Sequence, residues 1–120
     1  MDDISNRIVV MPYIGKALSE NYYKIIGRGG VHTSKTRPET IIWMKELTEK
    51  VRGFYPNNTP MTIYLTGRFV DERCPDLSNL HKVLADAIKV GIGLDDKHFV
   101  FVDRGYTTGH IKPELEIELE

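Results

Sequence analysis

Apolar positions between residues 43 and 54 recur at helical spacing. Trp43, Leu47, Val51 and Phe54 form one stripe, with Met44 beside it, and predict an amphipathic helix. Thr36 and Glu39 stand ahead of it in capping-box spacing, with Pro38 in the first turn. Residues 77–90 repeat the pattern. Leu77, Leu80, Leu84, Ala87 and Ile88 share one side, while Asn79, Lys82, Asp86 and Lys89 occupy the other, and Gly91 is the expected C-cap. Elsewhere the runs are short and β-prone. They cover residues 8–11, stopped by Pro12, then Tyr22–Ile26 and Val31–Thr33 around the turn-rich segment 27–30, then 61–70 and 98–102. The last segment, ELEIELE, alternates strictly, with Leu115, Ile117 and Leu119 on one face and glutamates on the other. Residues 55–60 and 104–113 read as turn and loop. The order β-β-β-α-β-α-β-β predicts a small mixed α/β (α+β) sheet with two main helices, in a single domain spanning residues 1–120.

Length and composition agree. A chain of 120 residues with 41% hydrophobic and 28% charged residues suits one modest core rather than disorder. A single cysteine, Cys74, excludes an internal disulfide and fits a reducing compartment. The polar, acidic start MDDISNR does not read as a secretory signal, and no apolar run approaches the roughly 20 residues that span a bilayer. The expectation is a cytoplasmic protein with no membrane partner. The net charge of −1 hides an asymmetry: residues 1–60 carry +3 and residues 61–120 carry −4. A strongly basic nucleic-acid binder is not indicated by charge alone, and if the chain binds nucleic acid the first half must supply most phosphate contacts. The glycines at 27, 29 and 30 match no phosphate-loop or dinucleotide pattern, so no nucleotide cofactor is expected. The four histidines show no metal-ligand spacing, and Cys74 has no nucleophile's partner.

The stretch from Cys74 to Asp96 carries the chemistry. Asp76 opens it, the pair Asp95 and Asp96 closes it, and Lys82 lies just inside. The bland explanation is structural: Asp76 favours a helix N-terminus, Ser78 caps it, and Leu94–Asp96 is a polar turn. Against it stands the polar face that begins at Asp76 and continues through Asn79, Lys82 and Asp86. Carboxylates suit Mg²⁺ or Mn²⁺, and a nearby lysine neutralises charge building on a phosphate. Together they point to metal-dependent phosphodiester hydrolysis. The acids stand at the two ends of a helix about 20 Å long, so they share a site only if the chain folds back.

This stretch resembles the RusA family of Holliday junction resolvases. The family pattern, D-x-D-N-L-x-K, then D-A-L, then D-D before a strand, becomes here Asp76-Leu77-Ser78-Asn79-Leu80-His81-Lys82, Asp86-Ala87-Ile88 and Asp95-Asp96. Residues 11–35 resemble the family's opening strand, Asn-Tyr-Tyr and basic hairpin, so the likeness covers nearly the whole chain. The resemblance implies a Mg²⁺- or Mn²⁺-dependent homodimer that binds four-way junction DNA and nicks it symmetrically, in a bacterium, phage or prophage. It implies Asp76, Lys82 and Asp96 as catalytic residues, and Asp76, Asp95 and Asp96 as metal ligands.

Position 78 departs from the pattern, because a neutral serine replaces the family's second aspartate. Three readings stay open: Ser78 acts through a bound water, Asp86 or Asp95 takes over its part, or the protein binds junctions and cuts poorly. Lys16, Lys24, Arg28, Lys35 and Arg37 are candidate DNA contacts in the basic half. Arg68, Arg73 and Arg104 flank the acidic stretch, and one of them is expected to orient a phosphate. Phe69, ahead of the motif, is read as core rather than as a wedge into the junction. A rival outside nucleases is an interaction protein whose acids are only structural.

Overall fold

The alternation in the last segment sets the architecture. Leu115, Ile117 and Leu119 are all fully buried, so their strand must lie inside a sheet with one face covered. The computed structural model describes residues 6–20, 23–26 and 34–120. Its main sheet has four strands: β1 (Arg7–Pro12), β4 (Met61–Arg68), β5 (Phe99–Thr107) and β6 (Glu114–Leu119). The order is β1-β6-β4-β5. β6 runs antiparallel to both neighbours, and β4 and β5 are parallel. A separate two-stranded ribbon pairs β2 (Lys24–Ile26) with β3 (Ser34–Thr36). The expected strand at residues 31–33 and the turn at 27–30 lie outside the described residues.

One face of the sheet carries Val9, Met11, Met61, Ile63, Leu65 and the three buried β6 residues. Two helices cover it, α1 (Pro38–Val51) and α2 (His81–Ile92). α1 is fixed along β1: the Trp43 indole N–H donates to the Pro12 carbonyl at 2.7 Å, and Lys50 reaches the Val10 carbonyl at 2.9 Å. α2 belongs to the crossover that leaves β4 and returns parallel as β5, as a parallel pair requires. A one-turn 3₁₀ segment, Leu77–Leu80, leads into it and packs against both strands. Among the described residues, no layer lies over the other face of the sheet. It shows Thr62, Tyr64, Thr66 and Arg68 from β4 beside Glu114, Glu116 and Glu118 from β6, with Ile8, Val10, Val100 and Val102 toward the edges.

Four local expectations are corrected. Thr36 ends β3 and is not a cap; Arg37 holds the N-cap position of α1, and no side chain caps it. The first helix starts on Pro38, whose missing N–H costs nothing there. Ser78 is no cap either, since it lies inside the 3₁₀ segment. Gly91 does not end α2; Gly93 does, in the left-handed conformation at φ 72°. Gly91 is needed for a different reason. A Cβ there would lie 2.5 Å from Val51 Cγ2 and 2.6 Å from the Thr48 carbonyl oxygen, so the glycine lets the two helices touch. The Thr48 hydroxyl also donates to the Ala87 carbonyl across the same contact at 2.9 Å. Finally, β5 extends through Thr107, into the segment expected as loop, with a register shift opposite Leu65–Gly67.

Candidate active site

The chain leaves β4 and buries Phe69, which sits edge-on to Tyr13 at 5.1 Å and near Tyr106 at 5.9 Å. Phe69 is core, as the sequence suggested. Leu77 packs over Gly67, where a Cβ would come within 3.2 Å of its Cδ2. That contact pins the start of the 3₁₀ segment above the C-terminal end of β4. Asp76 occupies the N-cap position of this segment with extended φ and ψ, yet its side chain makes no capping bond. Its backbone carbonyl accepts from the Asn79 N–H at 3.0 Å, while the carboxylate is exposed. A carboxylate kept at a cap position without capping is what the structural explanation does not predict. Ser78 is exposed close by, and Lys82 is exposed on the first turn of α2.

Asp86 has a different setting. It is only 15% exposed, and it accepts a 2.6 Å hydrogen bond from the hydroxyl of buried Tyr23. The Nζ atoms of Lys82 and Lys89 each lie 3.7 Å from its Oδ1. Burial first, then the hydrogen bond to the Asp86 carboxylate, push the Tyr23 hydroxyl well above its ordinary pKa. Asp86 therefore ties the residue 23 region to α2. Lys89 Nζ also stands 3.8 Å from Asp96 and carries the charge network on to the acid pair. Asp95 caps the 3₁₀ turn Asp96–His98 by accepting from the Lys97 N–H at 3.2 Å. That amide bond, ahead of a hydrogen bond with Asp96, holds the Asp95 carboxyl below the usual range.

The fold sets Asp76 and the acid pair at opposite ends of the crossover. Asp76 is level with Gly67, at the end of β4, whereas Asp96 precedes Phe99, which pairs with Met61 at its start. α2, with 12 residues, spans about 18 Å between them. One chain does not fold back to join these acids. Among the described residues, no group of three or more His, Cys, Asp or Glu side chains is placed to hold a metal ion. The donors have the right chemistry for Mg²⁺ or Mn²⁺, but a single chain does not gather them.

The flanking cations divide. Arg68 bonds to Glu116 at 3.1 Å and Glu114 at 3.4 Å, and Arg104 bonds to Glu118 at 2.9 Å and lies 3.9 Å above the Tyr64 ring. Both are held on the uncovered sheet face by these glutamates. Arg73 is on the loop that leads to Asp76, in an exposed pair with Asp71 at 3.0 Å. Of the three, it is the nearest to that acid along the chain. Lys16 is in a 3₁₀ turn, Lys24 lies over the Tyr23 ring at 5.5 Å, Lys35 is exposed on β3, and Arg37 begins α1. Arg28 lies outside the described residues.

Two partnerships were missed from sequence. His81 Nε2 is 2.8 Å from Asp103, and its ring stacks on Phe101 at 4.2 Å between centroids, with planes 10° apart. Residues 81 and 103 are joined only through strand pairing, so no local spacing announces them. The Tyr23–Asp86 bond is equally long-range. Lys89, in contrast, was visible on the polar face of the helix.

No helix among the described residues is long and apolar enough to cross a membrane. No curated protein sequence matches the chain. The family described as Endodeoxyribonuclease RusA matches residues 31–120, which include the whole of the sheet except β1, both helices and every acid of the proposed site. The chain belongs to the RusA endodeoxyribonuclease family, whose membership indicates nuclease activity on Holliday junctions.

Proposed function

We propose that the protein is a divalent-metal-dependent homodimeric endonuclease that nicks four-way DNA junctions symmetrically during recombination and repair. The family match carries this reading. The exposed, uncapping Asp76 and the cation Lys82 after it support the same chemistry. In phosphodiester hydrolysis a water oxygen bonds to phosphorus and one P–O bond to a sugar oxygen breaks. The water's proton passes to a base, and the departing oxygen takes up a proton. In this reading Asp76 accepts a proton from that water, and Lys82 offsets charge on the phosphoryl oxygens. Asp95 and Asp96, with Asp76, are the donors that Mg²⁺ or Mn²⁺ would use. The cation-rich first half and Arg73 supply phosphate contacts.

The test is nicking of a synthetic four-way junction in a titration with Mg²⁺ and Mn²⁺. Asp76→Asn should keep junction binding and lose at least about 100-fold in cutting, the scale of losing one acid–base group. Equal cutting by the variant would remove Asp76 from the mechanism. A second reading rests on Ser78, a neutral exposed residue where the family pattern has an acid: a binder that has lost cutting. In that case the unaltered chain binds without nicking, and Ser78→Asp gains activity in the same assay.

A further inference from the structure

The hydrolysis written above leaves one proton without a source, the one that the departing sugar oxygen takes up. A partly exposed histidine stands a short way from Asp76. His81 opens α2, and its backbone N–H donates to the Ser78 carbonyl of the 3₁₀ segment. Its Nε2 lies 2.8 Å from Asp103 of β5, and its ring stacks on Phe101 at 4.2 Å. An ionised carboxylate can only accept, so Nε2 carries the hydrogen of this bond and Nδ1 is left outside it. The ring is held at one nitrogen and one face, while 28% of the side chain stays open to solvent. A brace of this kind adds little to the fold. Leu77, Leu80, Leu84 and Ile88 already anchor the 3₁₀ segment and α2 in the core, and a part-exposed ion pair contributes little stability. In the motif His81 fills the open position between Leu80 and Lys82.

Resting on the nuclease reading above, we propose that His81 is the general acid of the reaction: its Nδ1 delivers the proton to the departing sugar oxygen, and Asp103 holds the ring in place for it. Strand register sets the spacing. Asp103 pairs with Leu65, while Gly67, which lies under Leu77 and so marks the level of Asp76, is two β4 residues further on. The two levels differ by roughly 7 Å along the strands and ~4.8 Å across them. That leaves room for one phosphodiester between the Asp76 carboxylate and the His81 ring. In-line displacement puts the entering and departing oxygens on opposite sides of phosphorus, so the base and the acid must also stand apart. The water oxygen bonds to phosphorus as its proton passes to Asp76. The P–O bond breaks, its electron pair stays on the departing oxygen, and that oxygen takes the proton from Nδ1. Asp76 then gives its proton to solvent and His81 regains one, so nothing else is consumed. Lys82, the next residue along, keeps its part in offsetting charge on the phosphoryl oxygens.

A change of leaving atom tests this. The cut position on a synthetic four-way junction is mapped with the unaltered protein, and a second junction is made with sulfur in place of the departing oxygen. A thiolate leaves without needing a proton, so loss of a general acid should be felt on the oxygen junction alone. His81→Ala should cut the oxygen junction about 100-fold more slowly than the unaltered protein, and the sulfur junction within a few-fold of it. Equal loss on both junctions would make His81 a structural residue, and this inference would fail while the nuclease reading stands. His81→Gln keeps a side chain that can donate an N–H to Asp103 but has no proton to give. It should show the same contrast as His81→Ala, and oxygen-junction cutting by His81→Gln at the unaltered rate would overturn the assignment. Asp103→Asn should show a smaller loss on oxygen, again relieved by sulfur. If the unaltered protein cuts neither junction, the nuclease reading itself fails and this inference falls with it.

Discussion

Tyr23 shows how much a single hydroxyl can hold. It is buried and donates to Asp86, itself flanked by two lysines, and the bond joins a residue close to β2 to the middle of α2. Tyr23→Phe should lower stability by about 1 kcal/mol, the ordinary net worth of such a bond, seen as a lower urea midpoint at unchanged slope. The same bond gives a pH signature. Folding raises the Tyr23 pKa above its ordinary 10.0, so the folded chain keeps the proton that the unfolded chain releases. The stabilisation is complete below pH 10 and is lost as pH rises from there toward the folded value. Urea midpoints measured between pH 9 and 11 should fall less steeply for Tyr23→Phe than for the unaltered protein. Asp86 therefore has a structural partner in Tyr23. The sequence could mark it as part of a polar helix face, but it could not say that its partner would come from residue 23.

At the scale of the element, the apolar stripes were legible because helix and strand periods differ and each stripe had to face the same core. Trp43, Leu47 and Val51 in α1, and Leu84, Ala87 and Ile88 in α2, are all buried. What the pattern could not reveal was where each helix begins and ends, since caps depend on neighbours. Gly91 read as a stop and proved to be the contact point of two helices. Gly91→Ala should destabilise by ~1–3 kcal/mol, the cost of overpacking, because its methyl would meet backbone at Thr48 as well as Val51. Thermal unfolding would report this, and Gly93→Ala serves as a contrast. There nothing lies within 4 Å of an added methyl, and the cost comes from the left-handed backbone alone.

For the whole molecule, the acids of the site were recognisable as residues, but their relation was not. Spacing along the chain shows that Asp76 and Asp96 flank a helix. Only the parallel return of β5 shows that they stay at its opposite ends. The arginines divide for the same reason: Arg68 and Arg73 are close in sequence, yet one points into a row of glutamates and the other sits beside Asp76's loop. DNA binding should follow this sidedness. Lys82→Gln should weaken junction affinity and flatten the slope of log affinity against log salt by about 0.9, one phosphate contact, while Glu116→Gln on the uncovered face should leave the slope unchanged. Fluorescence anisotropy at several salt concentrations would compare them.

The uncovered face has a further consequence. Among the described residues, Glu114, Glu116, Glu118 and Glu120 share it with only Arg68 and Arg104 as bonded counter-charges. A duplex approaching from behind would meet surplus negative charge, so under the proposed function DNA should be taken up from the other side. Such a particle caps a DNA molecule without bridging it to another. Titrated with long DNA, it should therefore give discrete, soluble complexes instead of the tangled networks that two-sided binders produce.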